Sequence, residues 1–125
     1  MKKLLLSIVL LFSITEAKEV GNTKEIIAQY IQAWQPLALD LNNEILVIPF
    51  NQERITNKIY MSILRNGICL SATLEKWNGV KKIVIMNSQV SQGYVFSGGY
   101  DTCKEASKLT GKQVEYFLLG KTSQY

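Results

Sequence analysis

The chain of 125 residues contains no histidine. That absence removes the commonest general base, the Ser-His and Cys-His nucleophilic pairs and the commonest metal ligand. The carboxylates are scattered, and no two stand at a spacing that obviously pairs them for acid–base work or metal binding. Ser97 with Lys104 or Lys108 is the one arrangement that mimics a Ser-Lys dyad, and serine near lysine occurs in most proteins. The expectation is a protein that is not an enzyme, with no catalytic residues, no cofactor and no metal site.

Cysteine is almost as scarce, with Cys69 and Cys103 alone. A redox pair normally sits as C-x-x-C and a metal pair has further ligands nearby, and neither pattern is present. An even count with none left over points to one structural disulfide, Cys69 to Cys103. On the chain-entropy model such a loop contributes roughly 3 to 4 kcal/mol.

Long hydrophobic runs are missing except at the start, where MKKLLLSIVLLFSITEAKE places Lys2 and Lys3 before an apolar-rich run from Leu4 to Ile14. A membrane span needs about 20 apolar residues, and this run is shorter. Its layout is that of a secretory signal peptide over residues 1–17, cut after Ala17. No cysteine lies at the cut to accept a lipid, so no stable membrane anchor is expected. The remainder, 18–125, is of a length for a single small α+β domain with one modest core. Export to the periplasm or the exterior is the compartment in which a disulfide persists.

A strong charge of either sign is also missing. Without Lys2, Lys3 and Glu16 the chain keeps 12 basic and 9 acidic residues, a net charge of +3. The one adjacent basic pair is Lys81-Lys82, and no basic face emerges, so no nucleic-acid partner is expected.

What is present reads as a succession of short elements. Asn22 with Glu25 forms a capping pair before a helix whose Ile26, Ile27, Tyr30, Ile31 and Trp34 make one apolar stripe, stopped by Pro36. EILVIPF, 44–50, reads as a strand ending near Pro49. From Glu53 the spacing of Ile55, Ile59 and Ile63 argues a helix to Leu70, although Asn66-Gly67 between IYMSILR and ICLSATL also fits a hairpin. Val80 to Asn87 is a buried strand, and GYVFSG a second in which Tyr94 and Phe96 face one way. Asp101 caps a helix through Leu109, closed by Gly111; QVEYFLLG, 113–120, reads as the last strand and 121–125 as a tail.

After the N-terminal helix this order is βαββαβ, the ferredoxin-like or split βαβ arrangement, an antiparallel sheet with both helices on one face. Its helices run antiparallel, which brings Cys69, late in one, to Cys103, early in the other. That agreement favours the helix over the hairpin for the segment around 58–74.

The best recognition candidate is QGYVFSGGYDTC, 92–103. Gly98 and Gly99 open the backbone to a ligand or serve a tight corner of positive φ, and the helix start that follows attracts anions, though Asp101 competes for its N–H groups. Tyr94 and Tyr100 flank the glycines, and Trp77, between Lys76 and Asn78, is an aromatic with no evident core role. These five residues, Trp77, Tyr94, Gly98, Gly99 and Tyr100, form the candidate contact set.

The element order from Glu44 to Gly120 resembles that of the SPOR peptidoglycan-binding family, and GYVFSGGYDTCKEASKL is similar to its glycine-rich strand end and polar helix start. That resemblance implies a peptidoglycan-binding domain. The other reading is a non-catalytic cell-envelope protein acting by protein–protein binding, as inhibitors, immunity proteins and accessory parts of secretion or conjugation machines do.

Overall fold

The computed structural model describes residues 22–125; the leader expected over residues 1–17 and its cut after Ala17 lie outside them. The fold is α+β, with one mixed sheet and one disulfide.

Helix α1, Thr23–Ile31, continues as a single 3-10 turn, Gln32–Trp34, and the chain then turns at Gln35 in a left-handed conformation, φ 60°. Asn22 occupies the cap position of α1 without a side-chain hydrogen bond, so the expected capping pair does not form. Instead the buried Thr23 hydroxyl donates to the Asn78 carbonyl at 2.9 Å, pinning the start of α1 to the loop before the third strand.

The strands are β1, Asp40–Asn42, β2, Ile45–Pro49, β3, Lys82–Met86, β4, Gly93–Phe96, and β5, Thr122–Gln124. They lie side by side in chain order; β2 and β3 are parallel and every other neighbouring pair is antiparallel. The ferredoxin-like order is therefore replaced. In a split βαβ unit another strand separates the two parallel ones, whereas Leu46 and Ile48 pair directly with Ile83 and Ile85. The same sheet order takes away the topological ground for the resemblance to the SPOR family.

The cause lies in the C-terminal segment. QVEYFLLG belongs to a helix, α5, Lys112–Leu119, and not to a strand. A strand would place Val114, Tyr116 and Leu118 on one face. Val114 and Leu118 are buried, four residues apart, while Tyr116 is 68% exposed, which is helical spacing. The chain then turns, with the Lys121 N–H bonded to the Leu118 carbonyl, and reaches β4 rather than β2. The expected tail becomes the edge strand β5.

Residues 57–74 form one helical rod: α2, Asn57–Ile63, a π turn, Leu64–Ile68, and α3, Cys69–Leu74. The hairpin alternative is excluded, since Asn66 and Gly67 sit inside the rod. Thr56, extended at ψ 163°, starts it by accepting the Ile59 N–H on its hydroxyl. Helix α4, Tyr100–Ala106, is short; Asp101 lies in its first turn and Gly99 at its cap position, with no side-chain cap, so Asp101 is not the capping residue expected.

The inner sheet face, Leu46, Ile48, Ile83, Ile85, Tyr94 and Phe96, joins the buried side chains of all the helices in one core. Each large apolar side chain buried in this way contributes about 1.5 to 3 kcal/mol. Val47, Val84 and Val95 make a cross-strand row on the opposite face, outside that core. Beyond the ends of β2 and β3 the buried Asn87 side chain donates to the Glu53 carbonyl and accepts the N–H groups of Ser91 and Gln92. Gln92 in turn grips both backbone groups of Ile55 at 2.7 Å.

Candidate functional site

The corner SGGY is occupied by the protein itself. Gly98 and Gly99 are buried and neither has a positive φ, so a left-handed corner is not what they serve. A Cβ on Gly99 would stand 2.0 Å from the Val80 carbonyl oxygen, and one on Gly98 would stand 2.6 Å from Thr102 Oγ1. Glycine is required at 99 because two backbone segments meet there, and at 98 because the Thr102 side chain fills the space. Trp77 is buried, 5% exposed; its indole N–H donates to Ser71 Oγ at 3.0 Å, and its ring meets Tyr100 edge-on at 5.4 Å. Trp77 is therefore core rather than a docking aromatic, and Tyr100 is the partly exposed member of the pair.

Of the candidate contact set, Trp77, Gly98, Gly99 and Tyr100 come together along one shallow cleft of about 330 Å³. Tyr94 does not join them. It lies on the inner face of the sheet, its ring 4.7 Å from that of Tyr60. Thr122 Oγ1 donates to the Leu118 carbonyl, so the Tyr60 hydroxyl, 2.6 Å away, must donate to Thr122. Burial pushes the Tyr60 hydroxyl up to about 12. These contacts give Tyr94 a packing role.

Cys69 and Cys103 are bonded, with their Cα atoms 4.8 Å apart. Both are buried, and the bond joins the first residue of α3 to the middle of α4. Cys69 directly follows the π turn, and its N–H bonds to the Leu64 carbonyl. A π turn carries one residue more than the α-helical repeat and is frequently found at functional sites. Here its inner side holds Gly67 against α1, where a Cβ would stand 2.9 Å from Ile31 Cγ2 and 3.1 Å from Trp34 Cζ3. Its outer side presents Arg65 and Asn66.

Those two residues line a groove of about 530 Å³ between the α2 rod and α5. Asn57, Lys58 and Ser62 supply further polar groups, and Met61 and Leu119 supply apolar surface. Arg65 reaches Glu115 of α5 at 3.7 Å across the groove, and both side chains are more than a third exposed. A second cleft of about 260 Å³ begins at the same Arg65 and Asn66 and runs along α3, past the half-exposed Leu70 and the disulfide, to α4 and α5.

Asn66-Gly67 drew notice in the sequence for its turn chemistry, but spacing alone gives no sign of an extra helical residue. The half-exposed Leu119 was hidden by the reading of its segment as a strand. A glycine within a helical pattern that is otherwise apolar was the available signal, since it marks close approach of a neighbouring element. No protein-family model, curated protein or solved structure matches the chain.

Proposed function

We propose that the protein is an exported, non-catalytic binding protein of the cell envelope that works by protein–protein contact through the groove at the π turn. The kinds of task that suit it are those of an inhibitor, an immunity protein or an accessory part of a secretion or conjugation machine. The observation that carries this reading is the fixing of Arg65 and Asn66 from two sides. Gly67 under Ile31 and the disulfide at Cys69 hold the turn, so the groove wall is preorganised, and preorganised surfaces lose less entropy on binding.

The surface is of the right chemistry for a protein partner: apolar Met61 and Leu119 share the groove with amides and charges. The buried disulfide, the leader-like basic and apolar start of the sequence and the lack of histidine support this reading of export without catalysis. Among the described residues no helix is long and apolar enough to cross a membrane.

Affinity capture from envelope extracts of the native cells tests the proposal. The protein and its Leu119→Glu variant are used side by side, after melting curves show that both are folded. A discrete partner held by the parent and lost by Leu119→Glu is expected. The same proteins held by both, or by neither, would reject the groove as the contact surface.

A further inference from the structure

Resting on that reading, we infer that the partner presents to the groove an acidic amphipathic helix, with two carboxylates about two helical turns apart flanking an apolar anchor. The inference comes from the register of the groove wall. Lys58, Met61 and Arg65 stand at i, i+3 and i+7 along the rod and line the same groove. At 1.5 Å per residue the two cations lie roughly 10 Å apart along the axis, with the thioether side chain between them. A second helix lying along the rod repeats that spacing, so acid, apolar and acid residues at i, i+3 and i+7 meet cation, apolar and cation.

The charges are available for such a partner. The ion pairs among the described residues are Arg65 with Glu115 and Lys81 with Glu44, which leaves Lys58 unpaired. The Arg65–Glu115 contact is long, at 3.7 Å, and exposed on both sides. An ion pair of that kind contributes little and exchanges readily. Arg65 retains N–H groups for a planar, two-point contact with an incoming carboxylate. Counting Lys58, Arg65 and Glu115, the groove carries one net positive charge, and a basic helix placed there would set like charges against Lys58 and Arg65.

Two synthetic helical peptides with the same apolar face provide the test, one with Glu and one with Lys at the i and i+7 positions. Each is titrated into the isotopically labelled oxidised protein at low salt, following backbone amide shifts. The acidic peptide is expected to shift the amides of Lys58, Met61, Arg65, Asn66 and Leu119, and to bind about tenfold or more tightly than the basic one. Lys58→Glu with Arg65→Glu, checked for an unchanged melting temperature, is expected to reverse the preference. Equal binding of both peptides at these amides would overturn the charge inference and leave the groove as a contact surface. Shifts confined to other parts of the molecule, or none with either peptide, would overturn both.

Discussion

Gly67 lies directly beneath Ile31, so close that a Cβ on Gly67 would stand 2.9 Å from Ile31 Cγ2. This contact couples the end of α1 to the π turn and leaves no space between them. The turn thus packs on α1 at Gly67 and runs directly into the disulfide-bonded Cys69.

Replacing Gly67 by Val tests that contact. An added branched side chain forces Ile31, Trp34 or the whole of α1 aside, at a cost of about 2 kcal/mol or more, beyond any gain in helix propensity. Gly120, whose nearest contacts to an added Cβ are 3.4 Å and whose φ is −63°, is the control. Gly120→Ala is expected to be neutral or to stabilise by about 0.4 to 1 kcal/mol. Urea unfolding of both variants reads the contrast, and equal effects would contradict it.

The disulfide closes a loop with a sequence separation of 34 residues. Its removal is expected to cost about 3 to 4 kcal/mol on the chain-entropy model. Thermal unfolding of Cys69→Ala with Cys103→Ala should show a melting temperature at least about 10 °C lower, given the usual sensitivity of small domains. An unchanged melting temperature would show that packing alone holds α4 against the rod.

Asn87 is 3% exposed and satisfies the backbone of two loops at once. Asn87→Ala leaves the Glu53 carbonyl and the Ser91 and Gln92 N–H groups without these partners, with an expected loss of about 2 to 3 kcal/mol. Hydrogen exchange should quicken at Ser91 and Gln92 well before it does in β3. A variant as stable as the parent would mean that solvent replaces the amide at no cost.

Much of the fold was legible in the sequence where pattern and environment agree. Ile83, Val84 and Ile85 mark a central strand because that strand is buried from Ile83 to Met86, and Ile59 and Ile63 mark a helix because one face packs on the core. The pairing of Cys69 with Cys103 followed from count alone. Residues 113–120 were misread because Phe117, Leu118 and Leu119 are consecutive apolar residues in which only Leu118 is fully buried. That error carried the sheet order with it, since the final strand determines which edge the chain reaches. In the contact set built around Trp77 and Gly99, the buried indole and the glycine pressed against Val80 have packing roles, since aromatics and glycines signal close packing as readily as recognition. Nothing local in LRNGI shows that its turn is wider than an α turn.

Tyr60 makes stability depend on alkaline pH. Its ordinary value is 10.0 and burial pushes it to about 12 in the folded protein. Below pH 10 both folded and unfolded chains keep the proton and its contribution is fully present. Between about 10 and 12 the unfolded chain releases the proton first, so stability falls as pH rises, by roughly 2 to 3 kcal/mol across the window. Tyr60→Phe removes this part of the slope at the cost of the hydrogen bond to Thr122. Denaturant midpoints measured from pH 9 to 12 on both proteins check it, and identical slopes would contradict it.

The claim that the π-turn groove is the contact surface is tested most directly by a photo-crosslinking amino acid placed at Asn66, and separately at Ser123 on the edge strand, in the protein expressed in its native cells. A discrete adduct formed from position 66 and absent from position 123 is the predicted result. No adduct from position 66, or the same adducts from both positions, would contradict it.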